Sequence, residues 1–152
     1  MRQSAFSGSP LEPIMGFARA VRIGNIAAVA GTAPRLGQNG TSWDERHLSG
    51  HPAYRACPLD PDGETVGIGD VAAQTQRCLE ISRIALEQIG VPLSAVLRTR
   101  TMLTDITRWE EAARVHGEYF AETRPVCTFV EVKGFVRPEW LVETEIDPVV
   151  GD

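Results

Sequence analysis

The stretch FARAVRIGNIAAVAGTAP, residues 17–34, contains two short apolar segments that are separated by Gly24 and Asn25. The segments span residues 17–23 and 26–30. Both turn residues tolerate a positive φ, and two such residues between apolar runs are typical of a β-hairpin with a two-residue turn. The sequence therefore predicts that this part of the chain forms two paired strands of a sheet.

The segment that follows, from Ala33 to Gly69, is rich in Gly and Pro, which excludes a long helix or a central strand. We expect a loop or insertion at about residues 35–63, with a short strand near residues 64–66. A connection of this length is either a lid over a functional site or a tolerated insertion on the outer surface. Three of its residues could ligate zinc, but no helix aligns them, so we predict no metal site; they are His47, His51 and Cys57.

Two helices are predicted after this loop. Asp70 is a typical N-cap for a helix that runs to about Ile89 and ends at Gly90. Its buried face is predicted to hold Val71, Thr75, Cys78, Leu79, Ser82, Ala85, Leu86 and Ile89, whereas Arg77, Glu80, Arg83 and Glu87 fall largely elsewhere. The second helix is predicted from Thr107 to about residue 120, with Thr107 and Glu110 forming a capping box.

Alternating and Val-rich segments predict further strands at residues 96–104, 126–132 and 141–149. The element order β-β-(β)-α-β-α-β-β indicates an α+β fold in a single domain, residues 1–152. Two helices can cover one face of such a sheet, so the other face is either solvated or buried against another subunit. Because the strand at 126–132 carries apolar residues at alternate positions, we expect a rather apolar face and an oligomer.

The composition is typical of a globular domain, with 43% hydrophobic and 23% charged residues and a net charge of −5. It excludes collagen-like, coiled-coil and disordered chains. The acidic balance disfavours nucleic acid as a partner, and no apolar run is long enough to span a bilayer. The N-terminal residues lack a secretory pattern, and three unpaired cysteines fit a reducing compartment. We therefore expect a cytoplasmic protein that binds neither nucleic acid nor membrane.

Candidate catalytic groups are few. The sequence lacks a phosphate-binding Gly-rich loop, a nucleophile elbow and a metal-binding helix motif. Glu143 and Glu145 share one face of a predicted strand, and Glu131 lies on the neighbouring strand; such carboxylates are either solvated or held in a cleft for acid–base chemistry. His116 is either a general base or a half-buried histidine that bonds to a carbonyl. The residues alone indicate an α+β oligomer with candidate acids.

Several short motifs, in this order, resemble the Rid/YjgF family, whose members were once described as L-PSP endoribonucleases. The matching motifs are 16–21 (GFARAV), 24–25 (GN), 30–34 (AGTAP), 69–75 (GDVAAQT), 96–105, 130–132 (VEV) and 141–145 (LVETE). The resemblance implies a chorismate-mutase-like fold, with a mixed sheet of about six strands and two helices on one face. It also implies a homotrimer with small-molecule clefts between subunits, and no cofactor.

In its best-known branch the family hydrolyses reactive enamines and imines such as 2-aminoacrylate. An arginine there holds the substrate carboxylate, a glutamate positions the attacking water, and a tyrosine lines the pocket. Matched motif by motif, the glutamate position is Glu143, the arginine position is Cys127 and the tyrosine position is Phe17. A family serine is replaced by Ala30 and a family asparagine by Ala113.

The resemblance therefore points to a divergent branch without the carboxylate-binding arginine, and it argues against activity on 2-imino acids. Arg124 or Arg137 could supply another cation, and Gly31 would line the pocket with Cys127. Cys127 itself is either a small residue that fills space or, beside Arg124 and His116, a reactive thiolate.

Two functions follow from these expectations. The first is a small-molecule hydrolase of the imine or enamine deaminase type with an altered substrate. The alternative is a non-catalytic trimeric protein that binds a metabolite and regulates another process, which the apolar residues at positions 17, 30 and 113 would suit. A Glu143 side chain that is shielded in a cleft would favour the hydrolase, and one that is exposed or locked to a cation would favour binding. RNA cleavage is disfavoured by the net negative charge.

Overall fold

The computed structural model describes residues 1–9, 11–35 and 65–151, and in these ranges the chain forms a six-stranded sheet with helices. The strands are β1 (Arg2–Ala5), β2 (Ala20–Ile23), β3 (Ile26–Thr32), β4 (Val96–Leu103), β5 (Val126–Glu131) and β6 (Val142–Pro148). The helices are α1 (Leu11–Met15), α2 (Val71–Gln88) and α3 (Trp109–Tyr119), with 3-10 turns at Leu93–Ala95 and Ile106–Arg108. Among the described residues the strand order is β1-β2-β3-β6-β4-β5, and only β4 and β5 are parallel. Strand β4 separates β5, which holds Glu131, from β6, which holds Glu143, so the prediction that these two strands are neighbours was wrong. The mixed α+β sheet is as predicted.

The predicted hairpin is confirmed. Strands β2 and β3 pair antiparallel, and Ile23 lies opposite Ile26 across the two-residue turn. Gly24 carries the positive φ of this turn, +62°. A glycine with positive φ at the first central position suits the right-handed twist of the flanking strands, so the turn fixes the register of the pair.

Helix α2 also forms as predicted. The Asp70 carboxylate accepts a hydrogen bond of 2.9 Å from the backbone N–H of Ala73, and Gly90 follows the helix with a φ of +64°. The predicted face is buried throughout, including Cys78. The placement of Arg77 was wrong, because its side chain is buried and its Nε donates a 2.6 Å hydrogen bond to the Arg35 carbonyl. A long arginine side chain can be buried along its aliphatic part while its guanidinium reaches a backbone acceptor.

The capping box predicted for α3 is absent. The helix begins at Trp109, and Thr107 lies in the preceding 3-10 turn. Asp105 caps that turn instead, since its Oδ1 accepts hydrogen bonds from the Thr107 backbone N–H (3.0 Å) and hydroxyl (2.6 Å). A short aspartate side chain easily reaches the backbone N–H two residues ahead. Asp105 therefore accepts from the Thr107 N–H, the group that would donate to the Glu110 side chain in a capping box.

The sequence patterns did not predict β1 and α1. Both are short: β1 has four residues, three of them exposed, and α1 has five. Neither is long enough to show a periodicity. The predicted strand near residues 64–66 is present in part, since Thr65 pairs with Arg35 and the Val66 N–H donates to the Pro34 carbonyl. The rest of the 35–63 loop, with its candidate zinc ligands, lies outside the described residues.

The core lies between the sheet and the helices α2 and α3, as the two-helix prediction requires. Alternate residues of β6 face this core and are buried, namely Val142, Thr144 and Ile146. The intervening Glu143, Glu145 and Asp147 have the opposite orientation and are half-buried. No helix in the described part of the chain is long and apolar enough to span a membrane.

The opposite face of the sheet is less apolar than expected. At the edge, Val126 and Val130 of β5 are 58% and 41% exposed, as an uncovered apolar strand should be. In the centre, however, Arg100 forms ion pairs with Glu145 (3.2 Å) and Asp147 (3.0 Å). The prediction of an apolar face is therefore right only for the edge strand.

The buried side chain of Gln74 ties the start of α2 to the chain before β6. Its Nε2 donates to the carbonyls of Gly67 (3.2 Å) and Glu139 (3.0 Å), and its Oε1 accepts from the Leu141 N–H at 2.8 Å. A buried amide that satisfies three backbone groups cannot be replaced by an apolar side chain without leaving those groups unpaired.

We expect Gln74→Leu to lower the free energy of unfolding by about 3 kcal/mol, because it leaves backbone donors and acceptors unpaired in a partly buried region. Urea unfolding followed by circular dichroism measures the change. The matched control is Gln88→Leu, at an exposed position of the same helix, which should change the stability by less than about 0.5 kcal/mol. Equal effects of the two substitutions would contradict this role of Gln74.

Candidate functional site

The Glu143 carboxylate lies against the backbone of Gly31. Strands β3 and β6 are neighbours, and their register shifts between Val29 and Thr32, next to this contact. A Cβ atom added to Gly31 would lie 3.0 Å from Glu143 Oε2. The missing side chain at position 31 therefore makes room for the carboxylate.

Arg19, which the sequence analysis did not single out, is buried beside this contact and is only 7% exposed. Its Nη1 donates hydrogen bonds to the Gly31 carbonyl (2.6 Å) and to the Thr32 hydroxyl (3.2 Å). Its Nε lies 3.9 Å from Glu12 Oε1 and has no hydrogen-bond partner among the described residues. The guanidinium carbon is 5.2 Å from the centre of the Phe17 ring, in a cation–π contact.

Glu12 places α1 beside this cluster. Its Oε1 accepts from the N–H (2.9 Å) and hydroxyl (2.7 Å) of Ser7, and its Oε2 accepts from the Gly8 N–H at 3.2 Å. Apolar side chains, among them Phe6 and Phe17, line an open groove with Glu12. The N-terminal segment thus lines a groove next to Arg19 that the sequence patterns did not predict; this groove and the adjoining Arg19–Glu143 cluster are together called the cleft below.

The pKa of Glu143 is raised above its usual value, chiefly because the carboxyl is removed from water. The Arg19 charge opposes this by lowering the pKa, and the Glu145 charge raises it further. Burial lowers the pKa of Arg19, and the charges of Glu12 and Glu143 raise it. Within the described ranges, Glu143 is half-buried and makes no hydrogen bond or ion pair, so its oxygens are available to water or a ligand.

Three of the residues predicted for the site come together here: Phe17, Gly31 and Glu143. Ala30 belongs to the same backbone segment, since its N–H donates to the Arg19 carbonyl at 2.9 Å. The cleft of a single chain therefore combines a carboxylate, a buried guanidinium and an aromatic ring.

Cys127 is not brought to this cleft within one chain. It lies on β5 opposite Thr99, and Thr99 points toward the helices and is buried. Glu143 lies opposite Met102 on the other side of β4 and has the opposite orientation. Because directly paired residues share a face, Cys127 and Glu143 lie on opposite faces of the sheet, two strands apart.

The other predicted site residues also lie away from Glu143. Ala113 is half-buried on α3. The Arg124 guanidinium donates from Nε to the Ala121 carbonyl at 3.2 Å, in the turn after α3. Arg137 lies 3.6 Å from a Glu139 oxygen, and its guanidinium carbon is 5.9 Å from the centre of the Trp140 ring. These contacts direct neither the Arg124 nor the Arg137 guanidinium toward the Glu143 carboxylate.

His116 packs between α3 and the sheet. Its Nε2 is 2.7 Å from the Thr99 hydroxyl, and its ring lies 4.7 Å from that of Phe120 and 6.1 Å from that of Phe129. Burial lowers its pKa, which favours the neutral ring at pH 7. It is thus a half-buried histidine, with a hydroxyl as partner rather than the expected carbonyl.

Residues 1–9, 11–35 and 65–151 contain no group of three or more potential metal ligands.

Comparison with known proteins shows relatives over nearly the whole chain. A family model described as "Endoribonuclease L-PSP" matches residues 47–150. The crystal structure of Rv2704 from Mycobacterium tuberculosis, a YjgF-family member, is 37% identical, covers 99% of this chain and 100% of its own, and has a TM-score of 0.75. The uncharacterized protein SCO2049 of Streptomyces coelicolor is 31% identical over 95% of this chain and 90% of its own length.

One relative has a named activity. The 3-aminoacrylate deaminase RutC of Acinetobacter baylyi is 37% identical over 86 residues, which are 57% of this chain and 68% of that protein.

The structural match to Rv2704 confirms the chorismate-mutase-like fold that the motif order implied.

We expect the Glu143 carboxyl to titrate with a pKa above that of an exposed glutamate, because burial outweighs the Arg19 charge. Carbon-13 NMR of labelled glutamate side chains, assigned with Glu143→Gln, measures it. Glu145→Gln should lower the Glu143 pKa, since it removes a like charge, and Arg19→Met should raise it further. Glu118→Gln, at an exposed position of α3, is the control and should leave it unchanged. A Glu143 pKa at or below the ordinary value would contradict the described burial.

Proposed function

This chain belongs to the Rid/YjgF family, the "Endoribonuclease L-PSP" family of the matching model, and from that premise we propose that it is a small-molecule hydrolase of the imine or enamine deaminase type. The observation that carries this proposal is the environment of the Glu143 carboxylate. Its carboxylate is half-buried over Gly31 and unpaired among the described residues. A carboxylate that is partly removed from water and has no hydrogen bond or ion pair is suited to acid–base chemistry.

In the proposed reaction, Glu143 orients a water molecule and accepts a proton from it. The water oxygen forms a bond to the imine carbon, and the electron pair of the C=N bond moves to nitrogen. Glu143 returns its proton to this nitrogen, which gives an aminol. It then transfers the hydroxyl proton of the aminol to the nitrogen as the C–N bond breaks, so that ammonia is released and a carbonyl compound remains. The raised pKa of Glu143 makes its carboxylate a stronger base than that of an exposed glutamate, and the Arg19 charge favours the ionised form.

The substrate is proposed to differ from that of the arginine-containing branch. The deaminase relative from Acinetobacter baylyi supports the reaction class over the 86 residues that it shares with this chain. The family's carboxylate-binding arginine is replaced here by Cys127, and Phe17 offers an apolar ring in place of a tyrosine. An altered substrate follows from these two differences.

We further propose a homotrimer whose clefts lie between subunits. Two observations support it: the uncovered apolar edge strand β5, and the opposite orientations of Cys127 and Glu143. A cleft that contains both residues needs Glu143 from one subunit and Cys127 from another. Ala113 and Arg124, which also lie away from Glu143, would then line the cleft from the second subunit.

The second candidate function is a trimeric protein that binds a metabolite without converting it. The apolar residues at the matched polar positions favour it, namely Phe17, Ala30 and Ala113. The unpaired Glu143 favours catalysis. Ligand binding without turnover would distinguish this candidate from the hydrolase.

We expect the protein to accelerate imine hydrolysis in a manner that depends on Glu143. Two imines are formed in situ, 2-iminopropionate by an amino-acid oxidase and propan-2-imine by a flavin amine oxidase, and loss of semicarbazone formation reports their hydrolysis. Glu143→Gln should lower the accelerated rate by about 10²–10⁴-fold, the usual effect of losing a general base. Glu118→Gln should keep it. Acceleration of neither imine would contradict the hydrolase function.

We expect the chain to sediment at three times its mass of 16.6 kDa. Val130→Asp should shift it to the monomer, because a charge on the apolar edge strand would be buried between copies. Val136→Asp is the matched control, since Val136 is 72% exposed and lies outside the strands. A wild-type monomer, or a trimer that Val130→Asp leaves intact, would refute this arrangement.

A further inference from the structure

Charges of both signs surround Glu143, and most of them are engaged with one another. Glu145 lies two residues along β6 on the same face, and Glu12 lies on the far side of Arg19. Both Glu143 and Glu12 act on Arg19, and Glu145 acts on Glu143. Arg35 also acts on Arg19 and interacts with Glu12, so an anion entering this cleft would meet three carboxylates and the guanidiniums of Arg19 and Arg35.

The guanidinium of Arg19 is poorly placed to bind a second carboxylate. Its Nη1 is occupied by Gly31 and Thr32, and its Nε is buried and faces Glu12. A ligand carboxylate at that edge would have to displace the carboxylate of Glu12, which Ser7 and Gly8 hold with three hydrogen bonds. Arg19 thus uses Nη1 and Nε for the protein's own acceptors and leaves only Nη2 for a ligand, so it cannot hold a second carboxylate through the two-nitrogen fork that binds one strongly.

Other cations on this face of the sheet are also paired with acids or distant. Arg100 contacts Glu145 and Asp147. Arg98 lies opposite Asp147 in the register, four residues along β6 from Glu143. At the position of the family's arginine, Cys127 offers a thiol, which is a weak donor without a positive charge.

On the basis of the hydrolase function above, we propose that the cleft takes imines that carry no carboxylate, in their protonated iminium form, and discriminates against 2-imino acids. The iminium C=NH₂⁺ group is planar, cationic and a hydrogen-bond donor. It complements an unpaired carboxylate next to the flat backbone of a glycine. Protonation also makes the imine carbon more electrophilic, so the form that binds is the form that water attacks.

The substrate pair that tests this proposal is matched in shape. Propan-2-imine and 2-iminopropionate differ only in a methyl group against a carboxylate. For the wild type we expect the acceleration over the uncatalysed rate to be at least about tenfold larger for propan-2-imine, since a carboxylate here lacks a charge-assisted partner. Equal acceleration, or a preference for 2-iminopropionate, would overturn the proposal and leave the hydrolase function standing.

A variant that restores the family's arginine makes the test more specific. Cys127→Arg should reduce the preference for propan-2-imine at least about tenfold, because it returns a bidentate carboxylate partner to the shared cleft. Cys127→Gln has a long polar side chain without the charge, and it should leave the ratio of the two accelerations near the wild-type value. A ratio that responds equally to both substitutions would contradict selection by charge.

Binding tests the charge preference independently of turnover. Acetamidinium and acetate have the same planar shape and opposite charges, and NMR titration of the Gly31 amide signal reports on either one at this site. We expect acetamidinium to shift that signal in the wild type and not in Glu143→Gln, and acetate to leave it unshifted. Acetate binding, or no acetamidinium binding, would overturn the proposal even if neither imine is hydrolysed.

Discussion

The buried charge of Arg19 is the constraint on which the cleft depends. A guanidinium removed from water is stable only when nearby acceptors and negative charges offset its desolvation. Here Gly31 and Thr32 supply acceptors from the end of β3, and Glu12 supplies a charge from α1. Arg19, immediately before β2, therefore fixes the relative positions of β2, β3 and α1. The Glu143 carboxylate then lies against Gly31, where an added Cβ would come within 3.0 Å of its Oε2.

Local signals were sufficient to predict the regular elements. The glycine turn at residue 24 and the Asp70 cap act within a few residues, so the hairpin and α2 could be identified from their own sequence. The errors arose where distant contacts decide the outcome. Arg77 has the spacing of an exposed residue, yet it is buried because the Arg35 carbonyl lies within its reach. Likewise β1 exists because β2 pairs with it, and its four residues carry no pattern of their own.

The site was predictable only in part, for a related reason. Glu143, Gly31 and Phe17 were identified through the motif order. Nothing in the local sequence separates the buried Arg19 from Arg22, which is half-buried and donates hydrogen bonds to the Gly24 and Gly90 carbonyls. Their different environments come from strand pairing. Similarly, the opposite orientations of Cys127 and Glu143 follow from the register of β4 with its two neighbours, which no motif records.

The alternation along β6 links the fold to the chemistry, because it directs Val142 and Thr144 into the core and Glu143 into the cleft. The proton affinity of Glu143 then depends on a balance in which burial and Glu145 raise the pKa and Arg19 lowers it. A ligand joins this balance with its own charge. A bound carboxylate would raise the pKa further and favour the protonated form, which cannot act as a base. A bound iminium would lower the pKa and keep the base ionised. The charge preference and the catalytic competence of the cleft would therefore arise from the same electrostatic balance.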